Sequence, residues 1–195
     1  MMKPGKSFVF GCLSGVILTV AGLVIAAVAV VYLFQGLLVK SAEGRLRTPP
    51  ITSGLKAEYA WQVVSLDGVP FDVEETRGKA VFLHFWHPTC IACLAEIPAI
   101  NRLYDAMQSI NVDFVCISTG DKDPRPVVLQ EDVRFPVYTL EGERPAVYET
   151  TMTPATFLIA PNGDIVFKHV GGAKWDDDTV ISFLRMVAAQ PEETP

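Results

Sequence analysis

Cys90 and Cys93, separated by two residues, stand in the stretch HFWHPTCIACLAEIP, between a strand-like run and a helix-like one. The spacing lets two sulfurs bond across one helical turn, so the pair can cycle between dithiol and disulfide. Cys90 falls at the amino end of the following helix, where unpaired N–H groups and the helix dipole favour negative charge. That makes it the better nucleophile of the two. A structural disulfide or half of a zinc site would use the same pair. Zinc needs two further ligands at short spacing, and the only other cysteines are Cys12 and Cys116. Two readings attach to His84: it relays a proton to or from Cys93, since imidazole titrates near neutral pH, or it is a core histidine with a satisfied hydrogen bond. His87 reads as a surface residue beside the site, and Cys116, inside VDFVCIS, as a buried inert thiol.

Placing Cys90 and Cys93 requires a rigid frame. KAVFLHFW is apolar throughout and has the length of a buried central strand, and YAWQVVSL is a second strand closed by Asp67 and Gly68. After Cys90, Ile97, Ile100, Tyr104 and Met107 recur at helical spacing, with Pro98 expected to kink the helix. VDFVCIS, a short helix over 127–132 and FPVYTL follow. TFLIA and DIVFKHV flank Pro161-Asn162-Gly163-Asp164, a hairpin signal. A last helix starts near Asp176 to Asp178 and presents Val180, Leu184, Val187 and Ala188 on one face. This order predicts an α/β domain with a mixed central sheet flanked by helices on both faces.

Outside that domain the composition changes. From Phe8 to Phe34 there is no charged residue, a run longer than the ~20 apolar residues that cross a bilayer and longer than the ~7–15 of a cleaved signal peptide. The predicted organisation is therefore a transmembrane anchor over 1–39, a polar, proline-containing linker over 40–56, a folded domain over 57–190 and a frayed tail over 191–195. Lysines and arginines flank the apolar run on both sides, so counting them does not orient it. A net charge of −6 with no basic stripe excludes a nucleic-acid partner.

Four blocks together carry a family resemblance: SLDG at 65–68, RGKAVFLHFW at 77–86, CIACLAEIP at 90–98 and TPATFLIAPNGDIVFKHVGG at 153–172. Over nearly all of its soluble part the chain resembles the TlpA/ResA-like membrane-anchored thioredoxins, a group that includes cytochrome c maturation reductases. The resemblance implies a thioredoxin-like fold. It also implies a cis peptide bond before Pro154, with Pro154 against the active-site disulfide and Thr153 presenting its backbone to a substrate chain. The family pattern C-x-x-C-x-x-E-x-P makes Glu96 an acid close to the thiols, and Trp86 corresponds to the tryptophan before the pair. The chain departs from the pattern at His84, where thioredoxins have a buried Asp, at His87 and Thr89, and at Ile91-Ala92, which replace a proline-containing dipeptide.

The implied activity is thiol-disulfide exchange through a Cys90–Cys93 dithiol, with no cofactor beyond that redox-active disulfide and no metal. Protein disulfides outside the cytoplasm are the substrates and a membrane-embedded thiol donor the source of electrons. The implied location is the cytoplasmic (inner) membrane, single-pass, with the domain on the periplasmic side. A copper-handling protein using Cys90, Cys93 and a histidine such as His169 is the alternative from another class, although copper carriers on this fold commonly use a wider cysteine spacing. A peroxide-reducing reading is weaker, because the residues around Cys90 do not match a peroxidatic motif.

Overall fold

The computed structural model describes residues 20–33 and 54–190. The two stretches fall in separate units. Residues 20–33 form a helix, α1. The rest of the expected spanning run, most of the linker and the tail at 191–195 lie outside the described residues. Among the described residues, no helix is long and apolar enough to cross a membrane.

In the second unit β1 (Gln62–Ser65), β2 (Pro70–Asp72), β3 (Ala80–Trp86), β4 (Val112–Ser118), β5 (Val137–Leu140), β6 (Ala155–Ile159) and β7 (Ile165–Val170) make one sheet, with α2 (Ile91–Met107), α3 (Arg125–Gln130) and α4 (Asp178–Ala188) around it. The strand order is β2-β1-β5-β4-β3-β6-β7. β3 runs parallel to β4 and β4 to β5, while β6 pairs antiparallel with both β3 and β7. The sheet is therefore mixed, as the element order predicts. All seven residues of β3 are buried, which explains its unbroken apolar character: a strand covered on both faces has no use for alternation.

Among the described residues, helices cover only one face of the sheet. Ala80, Phe82 and Trp86 of β3 pack in one cluster with residues from α2 and α4, and Val127 and Val128 of α3 join its margin. Val81, Leu83 and Phe85 pack on the other face against Tyr59, Val73 and Tyr148. Those come from the entering segment and from two short 3-10 turns, Val73–Thr76 and Ala146–Tyr148. The expectation of helices on both faces is corrected here. Large aromatic side chains do the covering: Trp61, Phe85, Tyr148 and Phe157 meet at 5.3–6.4 Å, so irregular backbone suffices.

The entering chain is fastened to the β6–β7 hairpin. Ile165 N–H donates to the Leu55 carbonyl and Ala57 N–H to that of Gly163, both within 2.9 Å, and Lys56 pairs with Asp164 at 2.9 Å. Gly163 sits in the left-handed region (φ +83°) at the tip, as the Asn-Gly signal requires. The register of β3 with β6 puts this tip at the end of the sheet opposite Trp86.

Phe82 is fully buried and lies 4.9 Å from Phe114 and 5.1 Å, edge to face, from Trp175. Phe82→Ala should cost about 3–5 kcal/mol, read as a lower urea midpoint with an unchanged slope. A loss below about 1 kcal/mol would mean that this cluster is not the core.

Candidate active site

The reactive pair sits where β3 hands the chain to α2. Cys90 N–H donates to the His87 carbonyl at 3.0 Å, closing a tight turn. Cys90 then caps α2: its Sγ accepts from the backbone N–H of Cys93 at 3.3 Å. The helix amino terminus predicted for Cys90 is thus where this residue lies, and its sulfur takes one of the otherwise unpaired N–H groups. Cys90 is part-exposed, whereas Cys93 is 1% exposed. Burial holds the Cys93 thiol well above its ordinary range, and its contacts with Cys90 act in the same direction.

The loop before β6 forms the other wall. The Thr153–Pro154 peptide bond is cis, and Cys90 Sγ lies 3.6 Å from the Thr153 carbonyl. Ile91, next to Cys90, and Met152, next to Thr153, are both exposed. On the turn before Cys90, the His87 ring is pinned. Its Nδ1 lies 3.2 Å from the Thr89 N–H, which donates to it, and 2.9 Å from the Thr89 hydroxyl. Its other edge lies so close to Gly120 that a Cβ there would stand 2.8 Å from Nε2, and Gly120 is also at φ +82°. Only glycine leaves room for that ring. Trp86 is buried beneath the site, its indole N–H without a hydrogen bond.

Behind Cys93 lies a polar group that helical spacing alone reads as readily as a surface acid. Glu96 is 1% exposed. Its Oε2 accepts from Trp175 Nε1 at 2.7 Å and from the Ala173 N–H at 3.1 Å, while Oε1 lies 3.4 Å from His84 Nε2. His84 is also buried, and its Nδ1 lies 2.8 Å from Thr156 Oγ1. Desolvation raises the Glu96 carboxyl to about 8, against the pull of the two N–H donors, and lowers His84 to about 3. Both are therefore neutral at pH 7. Cys116, beside His84 on β4, is fully buried and its thiol is likewise pushed up.

Cys90, Cys93, Glu96, His84, Thr153 and Pro154 thus converge on one end of the sheet. Sequence reasoning missed Trp175, Ala173 and Thr156. The available signal was Trp175 itself, a large aromatic among Gly, Lys and Asp in GGAKWDDD. Among the described residues no group of three or more His, Cys, Asp or Glu stands where it could hold a metal ion.

Residues 56–168 match the model of the AhpC/TSA family. The thiol-disulfide oxidoreductase ResA of Bacillus cereus is 30% identical over 112 residues, which are 56% of this chain and 65% of that protein. The chain therefore spans under two thirds of the relative's length. Among solved structures, a secreted Mycobacterium tuberculosis disulfide oxidoreductase homologous to E. coli DsbE is 24% identical over 64% of this chain and 96% of its own, with a TM-score of 0.56. A thiol:disulfide interchange protein DsbE from Chlorobium tepidum is 20% identical over 74% and 99%, with a TM-score of 0.57. These likenesses establish the thioredoxin-like α/β fold.

The two buried groups give stability a defined pH dependence. Between 4.5, the ordinary glutamate value, and about 8, the unfolded chain ionises Glu96 while the native state keeps its proton, so stability falls as pH rises through that window. His84 acts on the acid side: from 6.5 down to about 3 the unfolded chain binds a proton that the native state refuses, so stability falls as pH falls. Thermal melts from pH 5 to 8.5 should show wild type losing more stability with rising pH than Glu96→Gln. Parallel curves would refute the buried neutral carboxyl.

Proposed function

Because the chain belongs to the AhpC/TSA family, we propose that it is a thiol-disulfide oxidoreductase that reduces protein disulfides outside the cytoplasm through Cys90 and Cys93. The carrying observation is the asymmetry of the pair: one sulfur is accessible, caps a helix and lies against the Thr153 carbonyl, and the other is buried behind it. The Cys90 thiolate attacks one sulfur of a substrate disulfide. A Cys90–substrate bond forms as the substrate S–S bond breaks, and the leaving thiolate takes a proton from solvent. In the fraction of molecules in which Glu96 has lost its proton to solvent, its carboxylate takes the Cys93 proton and Cys93 attacks Cys90; the Cys90–Cys93 bond forms and the second substrate thiolate leaves. The substrate gains two electrons and the protein becomes the disulfide. A membrane-embedded thiol donor restores the dithiol, and Glu96 returns its proton to the departing Cys93.

In this reading Thr153 and Pro154 receive the substrate backbone, Trp86 floors the site, and His84 supports Glu96. The anchor over 1–39 holds the domain at the cytoplasmic membrane, single-pass, on the periplasmic side. Resemblance to the TlpA/ResA-like group and the apolar run Phe8–Phe34 support that placement, and they favour envelope thiol chemistry such as cytochrome c maturation.

Order of attack is testable by trapping. Cys93→Ala should accumulate mixed disulfides through Cys90, and Cys90→Ala few, when adducts are resolved on non-reducing gels. Equal trapping by both variants, or by neither, would sink the assignment of roles. Placement is tested separately: protease added to intact spheroplasts should digest the domain. Protection until the membrane is breached would put it on the cytoplasmic side.

A further inference from the structure

The carboxyl oxygens of Glu96 differ in what surrounds them. Oε2 takes two N–H donors, from Trp175 and Ala173. Oε1 is buried and without a hydrogen-bond partner, its polar neighbour being His84 Nε2 at 3.4 Å. An acid proton placed on Oε2 would collide with the two donors already aimed there; placed on Oε1 it finds a nitrogen lone pair. We propose that His84 is a positioning residue for Glu96: its Nε2 accepts the acid proton carried on Oε1, so that the two side chains form one neutral unit one helical turn from Cys93.

The imidazole fits this assignment from both edges. With Nε2 as acceptor, the ring proton sits on Nδ1 and donates to Thr156 Oγ1 at 2.8 Å. Phe82 stacks on the ring at 5.9 Å and restrains its rotation. An ion pair is the alternative, and it would put two charges into a site where the side chains are 2% and 1% exposed. The other titratable groups around the unit are Cys90 capping α2 and Cys93 within it, Cys116 in register with His84 on β4, and His169 on β7 in register with Thr156. Asp176, one residue past Trp175, is paired with Arg102 at 2.7 Å. None of these brings a cation against Oε1. His84 thus fixes which oxygen holds the proton and which way it points. When Glu96 ionises, the ring must turn from acceptor to donor, with its proton moving to Nε2 and the Thr156 hydroxyl donating to Nδ1.

The proposal rests on the reading that Glu96 exchanges a proton with Cys93, and the test separates the two. Nitrogen NMR of the reduced full-length chain in detergent reads the His84 tautomer without any variant. The expected result is Nδ1–H at pH 6, converting to Nε2–H above about pH 8 as Glu96 ionises. Infrared spectra at pH 6 should show a protonated-carboxyl band that is lost in Glu96→Gln. The band should shift to higher frequency in His84→Phe, where the acid proton has no acceptor, and return towards wild type in His84→Gln. An Nε2–H tautomer at pH 6, or a band that His84→Phe leaves in place, overturns the proposal. If the spectra are as expected but Glu96→Gln resolves mixed disulfides at the wild-type rate, the paired unit stands and the proton-exchange reading of Glu96 fails.

Discussion

Glu96 places an ionisable group where water does not reach, and much of the surrounding structure follows from keeping it neutral and held. Removing a carboxylate from water without compensation costs several kcal/mol or more, so the group retains its proton and one of its oxygens, Oε2, is met by two N–H donors. Those donors come from the segment between β7 and α4: the indole of Trp175 and the backbone of Ala173. Trp175 is itself fully buried, against Phe82 and Phe167. Two hydrogen bonds to one carboxyl oxygen thereby tie α2, which begins beside the cysteine pair, to the last third of the domain. The surroundings of Cys93 and the packing of the core share one set of side chains.

The junction of β3 and α2 explains why two identical side chains differ in exposure. The strand is buried over its whole length, so the helix that follows starts at the edge of the core and immediately turns inward. Its capping residue remains within reach of solvent, and three residues later the next cysteine points into the protein. Helical geometry alone makes one sulfur accessible and the other buried, before any neighbour contributes.

What could be read in the sequence was local. The C-x-x-C spacing, the unbroken apolar run of β3 and the Asn-Gly hairpin signal each depend on a few adjacent residues, and the structure has each in its expected place. β2 escaped notice because three residues at a sheet edge are too few to show alternation; only pairing with β1 defines it. The lopsided cover of the sheet was also illegible, since aromatic residues in irregular segments carry no periodicity. The state of Glu96 was the hardest to see. Helical spacing put it near Cys93, but its burial depends on a tryptophan 79 residues away, and no short-range pattern reports that. His84 stood open between two roles for the same reason: its neighbours Thr156 and Glu96 belong to other elements.

The fastening of the entering chain to the β6–β7 hairpin carries a mechanical consequence. Leu55, Lys56 and Ala57 are bound to that hairpin at the end of the sheet remote from Cys90. A leash attached upstream of Leu55 would therefore pull on the rear of the domain. Hydrogen bonds and an ion pair on a paired strand end take the load, and the junction of β3 and α2 is spared it. A pull applied there would leave the end of the sheet that carries Cys90 unloaded.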